Sequence, residues 1–311
     1  MTRFPLFPVL AVLLLALLPM LAARHTLDLM IFAALYSIAG LGVGLLLGQC
    51  GIVNLAQAFF YGIGAYASAY GTVMLEWSPW IGILVGMATA GLVALAIGWP
   101  ILRLTGFFLA LATLAVGTIG TILFFEWDWL TGGTLGIGGL PPLSIAGFTF
   151  DTPERFYYLA WAVALAVMAL AWNLTRGRPG LAMRAVRDAA PAAEGLGVDI
   201  HAMRVKVFVI GAMLGALAGS LFAHHVTYVS VESFTVPRSI VFLLIPVIAG
   251  ARVVWGVIPG ALFITFVPEW LAAFGDMHQM LFGIVLVLVV TLLPEGLTGL
   301  PARLIRQRSP A

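Results

Sequence analysis

The chain holds a single lysine, a single cysteine and five histidines among 311 residues, and only 9% of it is charged. Each scarcity closes off a class of chemistry. A soluble domain covers itself with a charged shell of roughly 25% of its residues, so this chain cannot clothe a globule, and most of its surface faces lipid. The lone Cys50 excludes an internal disulfide and a cysteine-based metal cluster. Lys206 stands in no GxxxxGK[ST] pattern, so the polypeptide has no phosphate-binding loop. His25, His201, His224, His225 and His278 form no HExxH, which argues against catalytic zinc, and no GxSxG elbow occurs. No acid stands at the middle of a long apolar run; Glu269 comes closest. A proton-driven carrier would need such a group to hold its proton. The chain reads as a passage without an engine, neither an enzyme nor a holder of cofactor or metal. A net charge of +2 without basic-aromatic runs excludes nucleic acid as a partner.

What is present is apolar: 62% of residues are hydrophobic and the mean hydropathy is +1.10. A helix crossing the hydrocarbon needs about 20 such residues. Ten runs qualify: 6–22, 27–47, 55–74, 79–98, 104–125, 156–174, 206–225, 239–250, 257–273 and 278–294. The eighth is short and the third is glycine-rich. The expected fold is an all-α polytopic membrane protein of about ten transmembrane helices, a single transmembrane domain over 1–311 with membrane lipid around it. The first run could instead be a cleaved signal peptide, although Leu21-Ala22-Ala23 only half fits a cleavage site. A retained helix is the reading favoured here.

The one sizeable charged island is Arg176–Lys206, which carries Arg176, Arg178, Arg184, Arg187, Arg204 and Lys206. Basic loops face the cytoplasm. Fixing this one inside puts both termini, with a tail at 298–311, inside as well. Twelve of the 15 basic residues then fall inside and three, Arg24, Arg155 and Arg238, outside. Within the island, residues 181–198 carry a helical pattern with Leu181, Ala185, Ala192 and Leu196 near one face and Arg184, Arg187, Asp188 and Glu194 elsewhere. Pro191 should break the first helix or start a second, and Gly195 and Gly197 favour a terminal turn. Such a segment is a docking surface for a soluble partner, or simply a solvated loop.

Three further segments stand out. Gly51–Tyr70 places Asn54 and Gln57 at the head of a glycine-rich span, where amides can line a path or bond to neighbouring helices. Thr131–Pro142 opens with Thr131, Gly132 and Gly133 and holds five glycines in twelve residues, the mark of an irregular loop. Ala223–Phe234, with its paired histidines, fits the interfacial belt. Gly211, Gly215 and Gly219 form a GxxxGxxxG ridge, read as close helix packing.

Together these segments resemble the inner-membrane permeases of bacterial branched-chain amino acid ABC transporters, of the LivM type. The likeness runs from about Gly40 to Leu297. It rests on GIVNLAQAFFYGIGAY, FFLALATLAV, TGGTLGIGGLP, the spacing of Gly180, Arg184, Ala185, Arg187, Ala192, Ala193, Glu194, Leu196 and Gly197, and AGSLFAHHVTYVSVESF. The resemblance implies a permease subunit in the bacterial inner (plasma) membrane, importing branched-chain or related amino acids. Its partners would be two ATP-binding cassette subunits that use ATP and magnesium, a second, LivH-like permease and a periplasmic substrate-binding protein. It also implies that 181–198 is the coupling segment, with Arg184, Arg187, Asp188 and Glu194 as contacts and Gly197 shaping the exit turn. Asn54, Gln57, Thr131, Gly132 and Gly133 become pathway or outer-loop candidates. Gln57 stands where the family has histidine, Ile52 where it has glutamine, Leu135 replaces a small or polar residue, and Arg252 replaces glycine. These departures leave urea or short amides open as cargo, and a self-sufficient carrier is the alternative from another class.

Overall fold

Inside a bilayer each backbone N–H and C=O must find its partner within the protein, which leaves helices as the default for an apolar chain. The computed structural model describes Pro19 and residues 23–145, 147–273, 275–293 and 296–299. The expected first span and most of the tail from 298 lie outside those residues. Each of the other nine expected runs holds a helix. Six described helices are long and apolar enough to cross a membrane, and the protein is an all-α, multi-pass membrane protein.

α1 (Arg24–Gly44) continues through a π-helical turn, Leu45–Gln49. α2 (Gln57–Val73), α3 (Pro79–Ile101) and α4 (Gly106–Glu126) follow, then a single turn, α5 (Asp128–Thr131). α6 (Pro153–Arg176) leads to two short helices, α7 (Arg178–Asp188) and α8 (Ala190–Gly195). α9 (Ile200–Val226), α10 (Val236–Ala249), α11 (Val257–Ala272) and α12 (His278–Leu292) complete the bundle. The strands are two-residue clasps: β1 (Ile137–Gly138) pairs antiparallel with β4 (Tyr228–Val229), and β2 (Ser144–Ile145) with β3 (Phe148–Thr149).

α1 and α9 are the core. Their apolar windows are 83% and 72% buried, against 33–39% for the other long spans. The glycine ridge on α9 makes this possible. A Cβ on Gly219 would stand 1.8 Å from the carbonyl oxygen of Tyr61, and one on Gly211 3.0 Å from that of Gly42. The ridge therefore faces both α1 and α2, as a packing surface should.

α2, α10 and α12 are each shorter than the six membrane-length helices. α2 has 17 residues and α10 has 14, about 26 and 21 Å at 1.5 Å per residue, against a hydrocarbon thickness of about 30 Å. Both begin inside the bundle. Gln57, the first residue of α2, bonds to carbonyls in the interior of α1 and α9. Ser239, near the start of α10, accepts a hydrogen bond from Ala58 N–H at 2.9 Å. The two helix starts thus lie side by side. α2 climbs from there to the end that carries Arg24 and Asp151, and α10 descends to the end that carries Arg176–Lys206, here called the basic end. Residues 231–235, expected as an outer loop, dip into the bundle to reach α10, with Val231 and Phe234 buried.

Candidate functional site

At the basic end, residues 176–206 fold as the sequence pattern anticipates. α7 begins with Pro179 in its first turn, where a missing N–H is harmless. Ala189 (φ −152, ψ 63) breaks the helix, and Pro191 sits in the first turn of α8. Gly197, at φ +83, closes α8: its N–H donates to Glu194 O at 2.9 Å, and Val198 N–H to Ala193 O at 3.0 Å.

The packing divides the residues of this segment. Met183, Val186 and Ala193 are buried against the bundle, while Leu181 and Leu196 are 61% and 85% exposed. Asp188 and Glu194 are exposed as well. Arg184 and Arg187 turn the other way. Arg184 Nη1 donates to Thr175 O at the end of α6 (2.9 Å) and to Gln49 Oε1 (3.4 Å). Arg187 Nη1 donates to Gly48 O, and its Nε lies 3.7 Å from Asp188 Oδ1. Gly48 and Gln49 belong to the π-helical turn of α1, a feature whose widened ladder leaves backbone groups for other partners. Gln49 Nε2 donates in turn to Arg252 O at 3.3 Å. Both arginines therefore bolt α7 to the core helix. Gly48 and Gln49 were missed from sequence; the one signal was a glutamine closing an apolar run.

At mid-depth, Gln57 is fully buried. Its Nε2 donates to Ala39 O (3.2 Å) and Gly211 O (3.0 Å), and its Oε1 accepts from Asn54 Nδ2 (3.2 Å). Asn54 Oδ1 accepts from Ala56 N–H at 3.0 Å. A primary amide has two N–H donors, so both of Gln57's are committed to helix carbonyls. The amide fastens α2 to α1 and α9 at once, the interhelical role that such groups play in lipid.

At the opposite end, Thr131 is fully buried and its hydroxyl faces Phe124 O at 2.7 Å and Trp127 O at 2.9 Å. Gly133 N–H donates back to Thr131 Oγ1 at 3.1 Å. Gly132 (φ +72) and Gly133 (φ +54) occupy left-handed backbone that side chains avoid. These residues shape a turn. The turn leads into β1, which the 227–229 segment clasps; Tyr228 Oη donates to Leu135 O at 2.7 Å. His224 Nδ1 meets Pro141 O at 2.9 Å, an oxygen that only accepts, so Nδ1 carries the hydrogen. Its Nε2 then accepts from the Ser68 hydroxyl at 2.9 Å. Two segments that stand 92 residues apart (131 and 223) in the sequence form one structure. Among the described residues no group of three or more His, Cys, Asp and Glu could hold a metal.

Comparison with known proteins agrees with this architecture. The family described as branched-chain amino acid transport system / permease component matches residues 25–290, which include α7, α8 and both helix starts. The chain is similar to the high-affinity branched-chain amino acid transport system permease protein LivM of Escherichia coli K12, at 31% identity over 306 residues, covering 90% of this chain and 71% of that one. LivM of Salmonella typhimurium LT2 gives 30% with the same coverage, 90% and 71%. The permease protein LivH of Escherichia coli K12 is 25% identical over 86% of this chain and 92% of its own. No solved structure matches the chain.

Proposed function

The chain belongs to the permease-component family of branched-chain amino acid transport systems and is the permease subunit of an ATP-binding cassette importer; from that premise we propose how its parts work. Two separate subunits hydrolyse ATP, with magnesium, and dock at the basic end. That end faces the cytoplasm, as basic loops do. The protein lies in the bacterial inner membrane with about ten spans and both termini inside. A second permease, LivH-like, completes the pathway, and a periplasmic binding protein hands over a branched-chain or related amino acid at the opposite end.

The observation that carries the reading is the two-sided character of α7 and α8. One side offers exposed Leu181 and Leu196 with the acids Asp188 and Glu194 beside them. The other is tied to the π-helical turn of α1 by Arg184 and Arg187. Force arriving at the exposed side would reach the most deeply buried helix directly. On this reading the leucines, Asp188 and Glu194 meet the ATPase, Arg184 and Arg187 transmit its movement, and Gly197 sets the exit turn.

Two variants of the assembled complex test the division of labour. Leu196→Asp should lose the ATPase subunits on co-purification. Arg187→Gln should keep them and keep ATP hydrolysis, yet lose uptake at least tenfold. If Arg187→Gln loses the ATPases and Leu196→Asp does not, the roles are reversed.

A further inference from the structure

Arg238 is the one basic side chain that the charge pattern puts outside and the fold draws inward. Its Nη1 donates to Tyr36 Oη at 2.6 Å, and its guanidinium lies 5.8 Å from the centre of that ring. Tyr36 stands 12 residues from Arg24 and 13 from Gln49, the two ends of a 26-residue span. Arg238 therefore bonds to a residue about midway along that span, beside the start of α10 and next to the residue, Ser239, that meets the start of α2. Among the described residues it takes part in no ion pair.

An ionised group beside the middle of a span is costly unless something offsets it. A guanidinium has five N–H donors, and the bond to Tyr36 uses one. Nor is the group sealed in: Arg238 is only partly buried, and Pro237 and Ile240 on either side of it are exposed. The first turn of α10 adds the positive end of a helix dipole at the same place. Planar carboxylates are the partner that such a fork of donors fits best, often with two parallel hydrogen bonds.

We propose that Arg238 binds the carboxylate of the transported solute as it passes the adjoining starts of α2 and α10. The inference rests on the importer reading and adds to it a contact point in the pathway. A zwitterionic amino acid with an apolar side chain needs one strong polar partner for its carboxylate inside an apolar bundle, and Arg238 supplies that partner. Tyr36 holds the guanidinium in place, as a positioning residue.

The test uses Arg238→Cys in the complete complex of permeases, ATPases and binding protein, reconstituted in liposomes with leucine as the probe. The native Cys50 is 3% exposed, so the protein itself shields it from both reagents. We expect uptake to fall at least tenfold while ATP hydrolysis stimulated by the binding protein persists. Aminoethyl methanethiosulfonate, which restores a cation, should recover much of the uptake; the anionic sulfonatoethyl reagent should recover none. Uptake within twofold of wild type overturns the proposal, as does a cysteine that neither reagent labels or that the cationic reagent labels without rescue. Should Arg238→Cys fail to assemble, Arg238→Lys and Tyr36→Phe decide. A raised KM for leucine in the lysine variant with a milder effect of Tyr36→Phe supports carboxylate binding. An equal loss of maximal rate in both marks a structural brace and overturns it. If the wild-type complex itself takes up no solute with ATP, the importer reading fails, which is a separate result.

Discussion

At Gln57 the count of donors favours gluing helices over lining a path. Both N–H groups of the amide end on carbonyls of other helices, and Gly42 and Gly215 leave it room: a Cβ on either would stand 2.9 or 2.8 Å from Nε2. Gln57→Leu would leave two buried carbonyls without that partner. At about 0.6 kcal/mol per interhelical bond in lipid, the expected loss is about 1 kcal/mol, read as a lowered midpoint in thermal unfolding of the detergent-solubilised chain. An unchanged midpoint would mean that the amide does not hold the helices. Gly219 offers a sharper contrast. An added Cβ there meets backbone, Tyr61 O, which cannot rotate away. Gly219→Ala should cost about 2 kcal/mol or more, as overpacking does, whereas Gly283→Ala, with nothing within 4 Å, should leave the midpoint unchanged or slightly raised. The glycine ridge was legible in the sequence because its spacing is that of one helix face. Which carbonyl each glycine clears was not, because that depends on a partner helix distant in sequence.

At the level of elements, the long spans were legible because burial in lipid demands continuous apolar length, and that is written locally. The inward starts of α2 and α10 were not. The run 55–74 is apolar apart from Gln57, Ser68 and Thr72, and nothing in it says that residues 51–56 enter the bundle before the helix begins. The run 239–250 was noticeably short, yet a short run is equally the sign of a poorly bounded one. The charge rule sent Arg238 outward for the same reason: it counts charges by loop and cannot see a loop that turns back. In α7 and α8 the new helix start at Pro191 and the turn at Gly197 were both readable, since proline and glycine act on their own backbone. The direction of Arg184 and Arg187 was not, because their partners, Thr175 O, Gly48 O and Gln49 Oε1, are mostly carbonyls that every residue carries. Gly197 allows a test confined to the turn. No atom lies within 4 Å of its added Cβ, so a substitution there meets only the strain of φ +83. Gly197→Val should cost about 1–2 kcal/mol and Gly197→Asn less, since asparagine tolerates left-handed backbone. The corresponding measurement is co-purification of the ATPases, which should weaken in the order Gly, Asn, Val; an effect independent of the residue would remove the turn from the docking surface.

For the whole molecule, the features that are missing weigh as much as those that are present. The sequence carries no P-loop and no mid-span acid, and no metal-binding cluster occurs among the described residues. A facilitator acting alone needs a continuous path through its own bundle. Here the centre is filled by α1 and α9, packed backbone to backbone along glycines, with Gln57 bolting α2 across them. The partly buried Arg238 lies beside the adjoining starts of α2 and α10. The purified chain alone in liposomes should therefore carry no leucine above the protein-free leak under a tenfold solute gradient. Adding the second permease, the ATPases, the binding protein and ATP should bring uptake that stops when ATP is replaced by a non-hydrolysable analogue. Gradient-driven flux through the chain by itself would sink this argument and restore the self-sufficient carrier. The energetic reasoning then points back to the basic end: if movement enters at α7 and α8, the π-helical turn is the first part of the core to receive it, and α1 carries it past Tyr36 to the depth where Arg238 waits for a carboxylate.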